Sequence, residues 1–146
     1  KDNITNLNVA TFTKPAQAYQ KRLGQIIELA RKENKTLPIY IVGIYNPFYL
    51  NFPEMTEMQT IVDNWNQSTE EVCKEYDKVY FVPVNDGKGG VTSSDDTSQS
   101  SKSSQDSLND ALFEDDHFHP NNTGYQIMSD AILKRINQTK KEWSGE

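Results

Sequence analysis

Two short apolar runs, Leu37-Pro38-Ile39-Tyr40-Ile41-Val42-Gly43-Ile44 and Lys78-Val79-Tyr80-Phe81-Val82-Pro83-Val84, leave this chain few folds to choose from. Each is continuous and rich in β-branched or aromatic residues, the pattern of a strand covered on both faces. Pro38 fits the first residue of a strand, and Pro83 points to a bulge or an edge near the end of the second. Between the runs, Met58, Ile61, Val62, Trp65, Thr69, Val72 and Cys73 recur at helical spacing, which predicts a helix from about Glu54 to Tyr76 with these residues on its buried face. A helix joining two buried strands implies parallel pairing through a right-handed crossover.

Two further helices frame this unit. Thr13-Lys14-Pro15 supplies a cap and a first-turn proline for a helix running to about Asn34, with Tyr19, Leu23, Ile26, Ile27 and Ala30 on its packed face. A last helix is expected from about Pro120 to Lys140, burying Tyr125, Ile127, Met128, Ala131, Ile132 and Ile136. Trp65 reads as core and Trp143 as a tail residue. The order helix, strand, helix, strand, long loop, helix is that of a parallel α/β protein, although two strands are too few for a doubly wound sheet. Loops 45–53, 85–107 and 114–119 would gather beyond the carboxyl ends of the strands, where such sheets carry their reactive groups.

Composition narrows the class. At 146 residues the chain is one domain's worth, and 35% apolar residues with a mean hydropathy of −0.77 describe a globular, very soluble one. A formal net charge of −6 argues against nucleic acid and anionic membrane surfaces as partners. No run approaches the length of a transmembrane helix, and no signal peptide is visible. The single Cys73 excludes an internal disulfide and zinc-finger spacing, and its helical apolar position reads as a small buried hydrophobe. From about residue 86 to 107 the chain turns to Gly, Ser, Thr, Asp and Gln, too polar to offset the entropy of ordering, so a mobile surface insertion is expected there. The abrupt start at Lys1-Asp2-Asn3-Ile4 reads as a piece of something longer.

The chemistry concentrates in Phe113-Glu114-Asp115-Asp116-His117-Phe118-His119-Pro120-Asn121-Asn122-Thr123-Gly124-Tyr125, which holds both histidines. Asp116 and His119 are three apart on a tight loop, where a carboxylate can fold back onto a ring nitrogen. A carboxylate on Nδ1 fixes the tautomer, leaves Nε2 to accept a proton and stabilises the imidazolium that forms. Pro120 would then open the following helix. Asp115 is an alternative partner for the ring.

Asp116-His117-Phe118-His119-Pro120 also reads as Asp-x-x-His-Pro, and with Gly124 and the helix after it resembles the final sequence block of the SGNH hydrolases, the GDSL lipase/esterase family. The phrasing of Ile39–Pro47 and Val79–Val84 ahead of it is similar to the C-terminal half of that family, particularly extracytoplasmic lipase-like members from Gram-positive bacteria. The resemblance implies the C-terminal part of a three-layer, flavodoxin-like parallel sheet, here with two strands and three main helices. It implies His119 as general base and Asp116 as its partner in a Ser-His-Asp triad acting on a small-molecule ester, with no cofactor, and a location outside the cytoplasm.

The family's Gly-Asp-Ser nucleophile block, its following Gly and its Gly-x-Asn-Asp oxyanion block do not appear. Gln105-Asp106-Ser107-Leu108 imitates the first but lacks the Gly and the preceding buried strand, so Ser107 reads as a decoy. A chain with base and orienter but without nucleophile or oxyanion donors is not a competent esterase by itself. The expected partner is an N-terminal part of the same protein, or a second copy, completing the sheet.

Two other readings stay open. Asp115 or Asp116 with His117 and His119 could form an oxygen and nitrogen metal cluster, though no fourth ligand is evident. The aromatic loop 45–53 is either a hydrophobic plug or a pocket wall, in which case Asn46, Phe48, Tyr49 and His117 are the substrate-binding candidates of an enzyme or of a non-catalytic binding module.

Overall fold

A computed structural model describes residues 13–48, 52, 54–84 and 111–145. The low-complexity tract, Ser107 and Tyr49 lie outside the described residues. Helix α1 (Thr13–Ala30), strand β1 (Ile39–Val42), helix α2 (Thr56–Glu75), strand β2 (Val79–Val82) and helix α3 (Asn122–Thr139) follow in order, and a 3-10 turn (Lys140–Glu142) closes the chain. Among the described residues this is a mixed α/β arrangement with three helices and a two-stranded parallel sheet, as the apolar runs predict. Ile39 pairs with Val79 and Val42 with Val82, and α2 makes the crossover.

Alternation along the strands assigns the two faces of the sheet. Ile39, Ile41, Val79 and Phe81 point into the core of Leu23, Ile27, Val72 and Cys73, where α1 and α2 pack. The buried Cys73 thiol lies among these apolar groups, and burial pushes its pKa up to about 11. Tyr40 and Tyr80 point the other way and stack on each other, 5.0 Å between centroids.

Beyond them, the end of α3 supplies an ordered hydroxyl chain. Trp143 Nε1–H donates to Tyr40 Oη (2.9 Å), Tyr40 and Thr139 hydroxyls meet at 2.6 Å, and Thr139 Oγ1–H donates to the Arg135 carbonyl (2.8 Å). Because Thr139 spends its proton on Arg135, Tyr40 must be the donor between the two hydroxyls. Trp143 is therefore half-buried and tied to the sheet rather than a tail residue. Tyr80 donates to Glu142 at 2.6 Å, and burial together with that carboxylate raises the Tyr80 pKa.

Several expectations fail in detail. Ile26 (62% exposed) and Ala30 lie off the buried face of α1, whose buried residues are Leu23, Gly24 and Ile27, with Tyr19 packed beside them on Trp65. All four β1 residues are half-buried rather than buried, since among the described residues β1 has a strand on one edge only. Tyr125 is 56% exposed, although Ile127 and Met128 farther along the same helix pack against Ala111 and Leu112.

The exit of β1 is held firmly. Asn66 on α2 accepts from Ile44 N–H and donates to the Ile44 carbonyl, both at 2.8 Å. Gly43 is required beside this clamp, because a Cβ there would stand 2.7 Å from the Phe81 ring and 2.9 Å from Asn66 Oδ1. At the opposite end of the strands, Arg31 donates to the carbonyls of Leu37 (2.9 Å from Nη2) and Asp77, joining α1 to both strand entrances.

Candidate active site

The histidine loop is a closed ring of backbone. Asn121 N–H donates to the Ala111 carbonyl (3.0 Å) and Phe113 N–H to the His119 carbonyl (2.9 Å), so Leu112 and Pro120 form an isolated antiparallel bridge. This removes Pro120 from the helix. Asn121 is the N-cap instead, its Oδ1 accepting from Gly124 N–H at 3.0 Å while its Nδ2 donates to the Leu112 carbonyl. One asparagine thus starts α3 and closes the loop. Gly124 lets the helix approach, since a Cβ there would come within 2.2 Å of the Ala111 carbonyl oxygen. Ala111 and Leu112 are buried against Tyr45, Ile127 and Met128.

Within the ring the chain makes one tight turn, His117 N–H donating to the Phe113 carbonyl (2.8 Å), and leaves it through His117 at φ +50°. A left-handed histidine is uncommon, and here it turns the next two N–H groups back toward Asp116. Asp116 Oδ1 accepts from Phe118 N–H (2.9 Å) and His119 N–H (3.0 Å), and Oδ2 accepts from His119 Nδ1 at 2.7 Å. The His119 bond, then the two N–H groups, hold the Asp116 carboxyl well below its ordinary range, at about 2. Asp116, not Asp115, is the ring's partner.

The pair is open to solvent, the side chains being 67% (His119) and 44% (Asp116) exposed. Local hydrogen bonds, rather than burial, set its geometry. With Nδ1 committed, Nε2 is the ring nitrogen left for proton transfer.

Tyr45, just after β1, donates its hydroxyl proton to the Phe118 carbonyl at 2.7 Å, and burial followed by the nearby Tyr125 and Asp116 raises its pKa to about 12. A contact across 73 residues has no local signal in the sequence. Phe48 meets Phe118 edge-on, so the loop after β1 and the histidine loop do come together at the carboxyl end of the sheet. Asn46, by contrast, is 2% exposed, with its amide engaged by Phe48 N–H (3.0 Å) and Gln59 Oε1 (3.3 Å). His117 is exposed on the turn. Among the described residues no three His, Cys, Asp or Glu side chains converge as a metal site would require.

Residues 6–127, which contain Asp116 and His119, match the model of the GDSL-like lipase/acylhydrolase family. The chain belongs to that family. It is also similar to the uncharacterized protein YpmR of Bacillus subtilis (strain 168), 31% identical over 142 residues, which are 97% of this chain and 48% of that protein. The chain therefore spans about half the length of the curated relative it matches. The family is one of lipases and acylhydrolases. The two-stranded α/β unit with its histidine loop is compatible with that family's fold.

Proposed function

We propose that His119 is the general base of a serine ester hydrolase and Asp116 the carboxylate that orients it. The observation that carries the reading is the 2.7 Å contact between Asp116 Oδ2 and His119 Nδ1 on a loop whose backbone already satisfies the other carboxylate oxygen. In this chemistry Nε2 takes the proton of an attacking serine hydroxyl and returns it to the leaving alkoxide. Asp116 keeps the tautomer and stabilises the imidazolium between those steps.

The serine and the oxyanion donors come from outside this chain. We assign them to an N-terminal part of the same protein, or to a second copy, that adds strands to the open edge of β1. On this reading residues 1–146 are the C-terminal part of one hydrolase domain, inactive alone and working outside the cytoplasm.

The full-length protein should hydrolyse p-nitrophenyl butyrate. His119→Ala should abolish that activity, and Asp116→Asn should reduce kcat by up to about 10⁴-fold with little change in KM. Activity from residues 1–146 alone, surviving His119→Ala, would show the chemistry to be elsewhere.

A further inference from the structure

The loop that carries His119 fixes the ring against Asp116. His119 Nδ1 meets Asp116 Oδ2, His119 N–H donates to Asp116 Oδ1, and the His119 carbonyl accepts from Phe113 N–H at 2.9 Å. All three bonds lie within residues 113–119, so they would travel with the loop if it shifted as a body. The Asn121 side chain joins the foot of the loop to the start of α3. None of these bonds sets the ring against β1, yet a base works only when it is held within hydrogen-bond reach of the proton it takes.

Tyr45 supplies that constraint. Its hydroxyl donates to the Phe118 carbonyl at 2.7 Å, while the N–H on the other side of the same peptide group donates to Asp116 at 3.0 Å. The peptide that leads into His119 is thus held at both ends, one from its own loop and one from the exit of β1. Hydrogen bonds linked in this way polarise and strengthen one another. Tyr45 also stands on a rigid stem. Ile44 before it is bonded at N–H and carbonyl by Asn66, and Asn46 after it is buried, its side chain joined to Phe48 N–H and Gln59. The Tyr45 ring packs on Ala111 and Leu112, and Phe48 meets Phe118 edge-on, but apolar contacts are non-directional and permit sliding, which a hydrogen bond opposes. With burial pushing its pKa up to about 12, the hydroxyl keeps its proton and stays a donor at any working pH.

We propose that Tyr45 is a positioning residue for the base: through the Phe118 carbonyl it sets His119 Nε2 in register with β1, and so with the nucleophile delivered beside that strand. The inference rests on His119 acting as the base. Tyr45 touches no reacting atom on this account.

The test is Tyr45→Phe in the full-length protein, which removes the hydroxyl and keeps the ring. With p-nitrophenyl butyrate, kcat should fall about tenfold or more while KM stays within about twofold, because a small displacement of the base is felt in the transition state and not in substrate binding. The Asp116 carboxyl should still titrate at about 2, since the bonds that lower it are internal to the loop. Tyr40→Phe, which removes a half-buried hydroxyl bonded instead to Thr139 and Trp143, should leave kcat unchanged. An unchanged kcat in Tyr45→Phe, a loss expressed in KM, or an equal loss in Tyr40→Phe would overturn the proposal. So would an Asp116 midpoint risen to 3.8, which would show that Tyr45 only holds the loop together. Any of these results in a protein whose activity His119→Ala still abolishes sinks this inference alone. Activity indifferent to His119→Ala would sink the base assignment itself, and this inference with it.

Discussion

Gly124→Ala tests whether the approach of α3 to the histidine loop is as tight as the structure has it. A methyl group at position 124 would lie 2.2 Å from the Ala111 carbonyl oxygen and 2.8 Å from Pro120 Cβ, against the 3.4 Å at which ordinary contact begins. Neither neighbour can yield cheaply: Ala111 is fully buried with its carbonyl bonded to Asn121 N–H, and Pro120 is fixed in the bridge to Leu112. Relief needs about an ångström of movement between helix and loop. Overpacking of this kind costs about 1–3 kcal/mol. Losing the Asn121 to Ala111 bond adds about 1 kcal/mol. The helix preference of alanine over glycine returns at most about 1 kcal/mol. A net loss of about 1–3 kcal/mol is expected, with a fall in Tm of about 2–4 °C per kcal/mol for a chain of this size. Gly24→Ala is the control. Its methyl would meet only the Tyr76 hydroxyl at 2.9 Å, the far end of a side chain that can swing away from Glu28, so it should fall within about 0.5 kcal/mol of wild type. Urea unfolding followed by circular dichroism separates the two. Equal stabilities, or a Gly124→Ala protein more stable than wild type, would refute the argument.

Three further outcomes follow from the same contacts. The Asp116 carboxyl, followed by carbon NMR, should titrate near pH 2 rather than at its ordinary 3.8. Because the folded value is the lower one, the stabilisation it carries is complete above 3.8 and fades as pH falls through about 2; a midpoint at the ordinary value would mean the loop is not closed on Asp116. Asn66→Ala should cost about 1–2 kcal/mol by unclamping Ile44, and Asn66→Asp should be no better, since a carboxylate cannot donate to the Ile44 carbonyl; a neutral Asn66→Asp would remove that donor from the account. Tyr45→Phe should cost about 0.5–1.5 kcal/mol and speed amide exchange at Phe113, His117 and Asn121 while leaving the strands protected. Uniformly faster exchange would show that Tyr45 supports the whole fold and not this loop.

The parts of this molecule that were legible in its sequence are those decided over short distances. The two strands and their crossover helix follow from continuous apolar runs and a helical period. The Asp116–His119 contact follows from a spacing of three on a turn. What could not be read is set by partners far along the chain. Tyr40 meets Trp143 across 103 residues, which converts an apparent tail tryptophan into part of the sheet's second face. Pro120 suits a helix's first turn in isolation, yet the bond from Asn121 N–H to Ala111 draws it into a bridge and moves the helix start to Asn122. Ile26 and Tyr125 obey the helical period and still face solvent, because the period marks a stripe wider than the surface that covers it.

The two edges of the sheet are treated differently by the chain, and this bears on how the site is completed. Ile39 N–H and Gly43 N–H take the carbonyls of Lys78 and Val82, so by the alternation of a parallel ladder the Phe81 carbonyl faces away from β1. That outer carbonyl accepts from Arg135 Nε at 3.1 Å, and the guanidinium lies 5.6 Å from the Tyr80 ring centre, so α3 closes this edge with a charged side chain. A strand arriving beside β2 would have to displace it. Among the described residues nothing comparable covers the outer edge of β1, whose half-buried residues are Ile39, Tyr40, Ile41 and Val42. Open apolar edges are where another strand pairs, and closed ones are where a sheet ends. On the reading proposed above, the completing strands would add beside β1. A parallel strand beside β1 would end next to Ile44 and Tyr45, the point from which Tyr45 reaches the Phe118 carbonyl. On that reading, a serine carried just past that end would lie near the loop that holds His119.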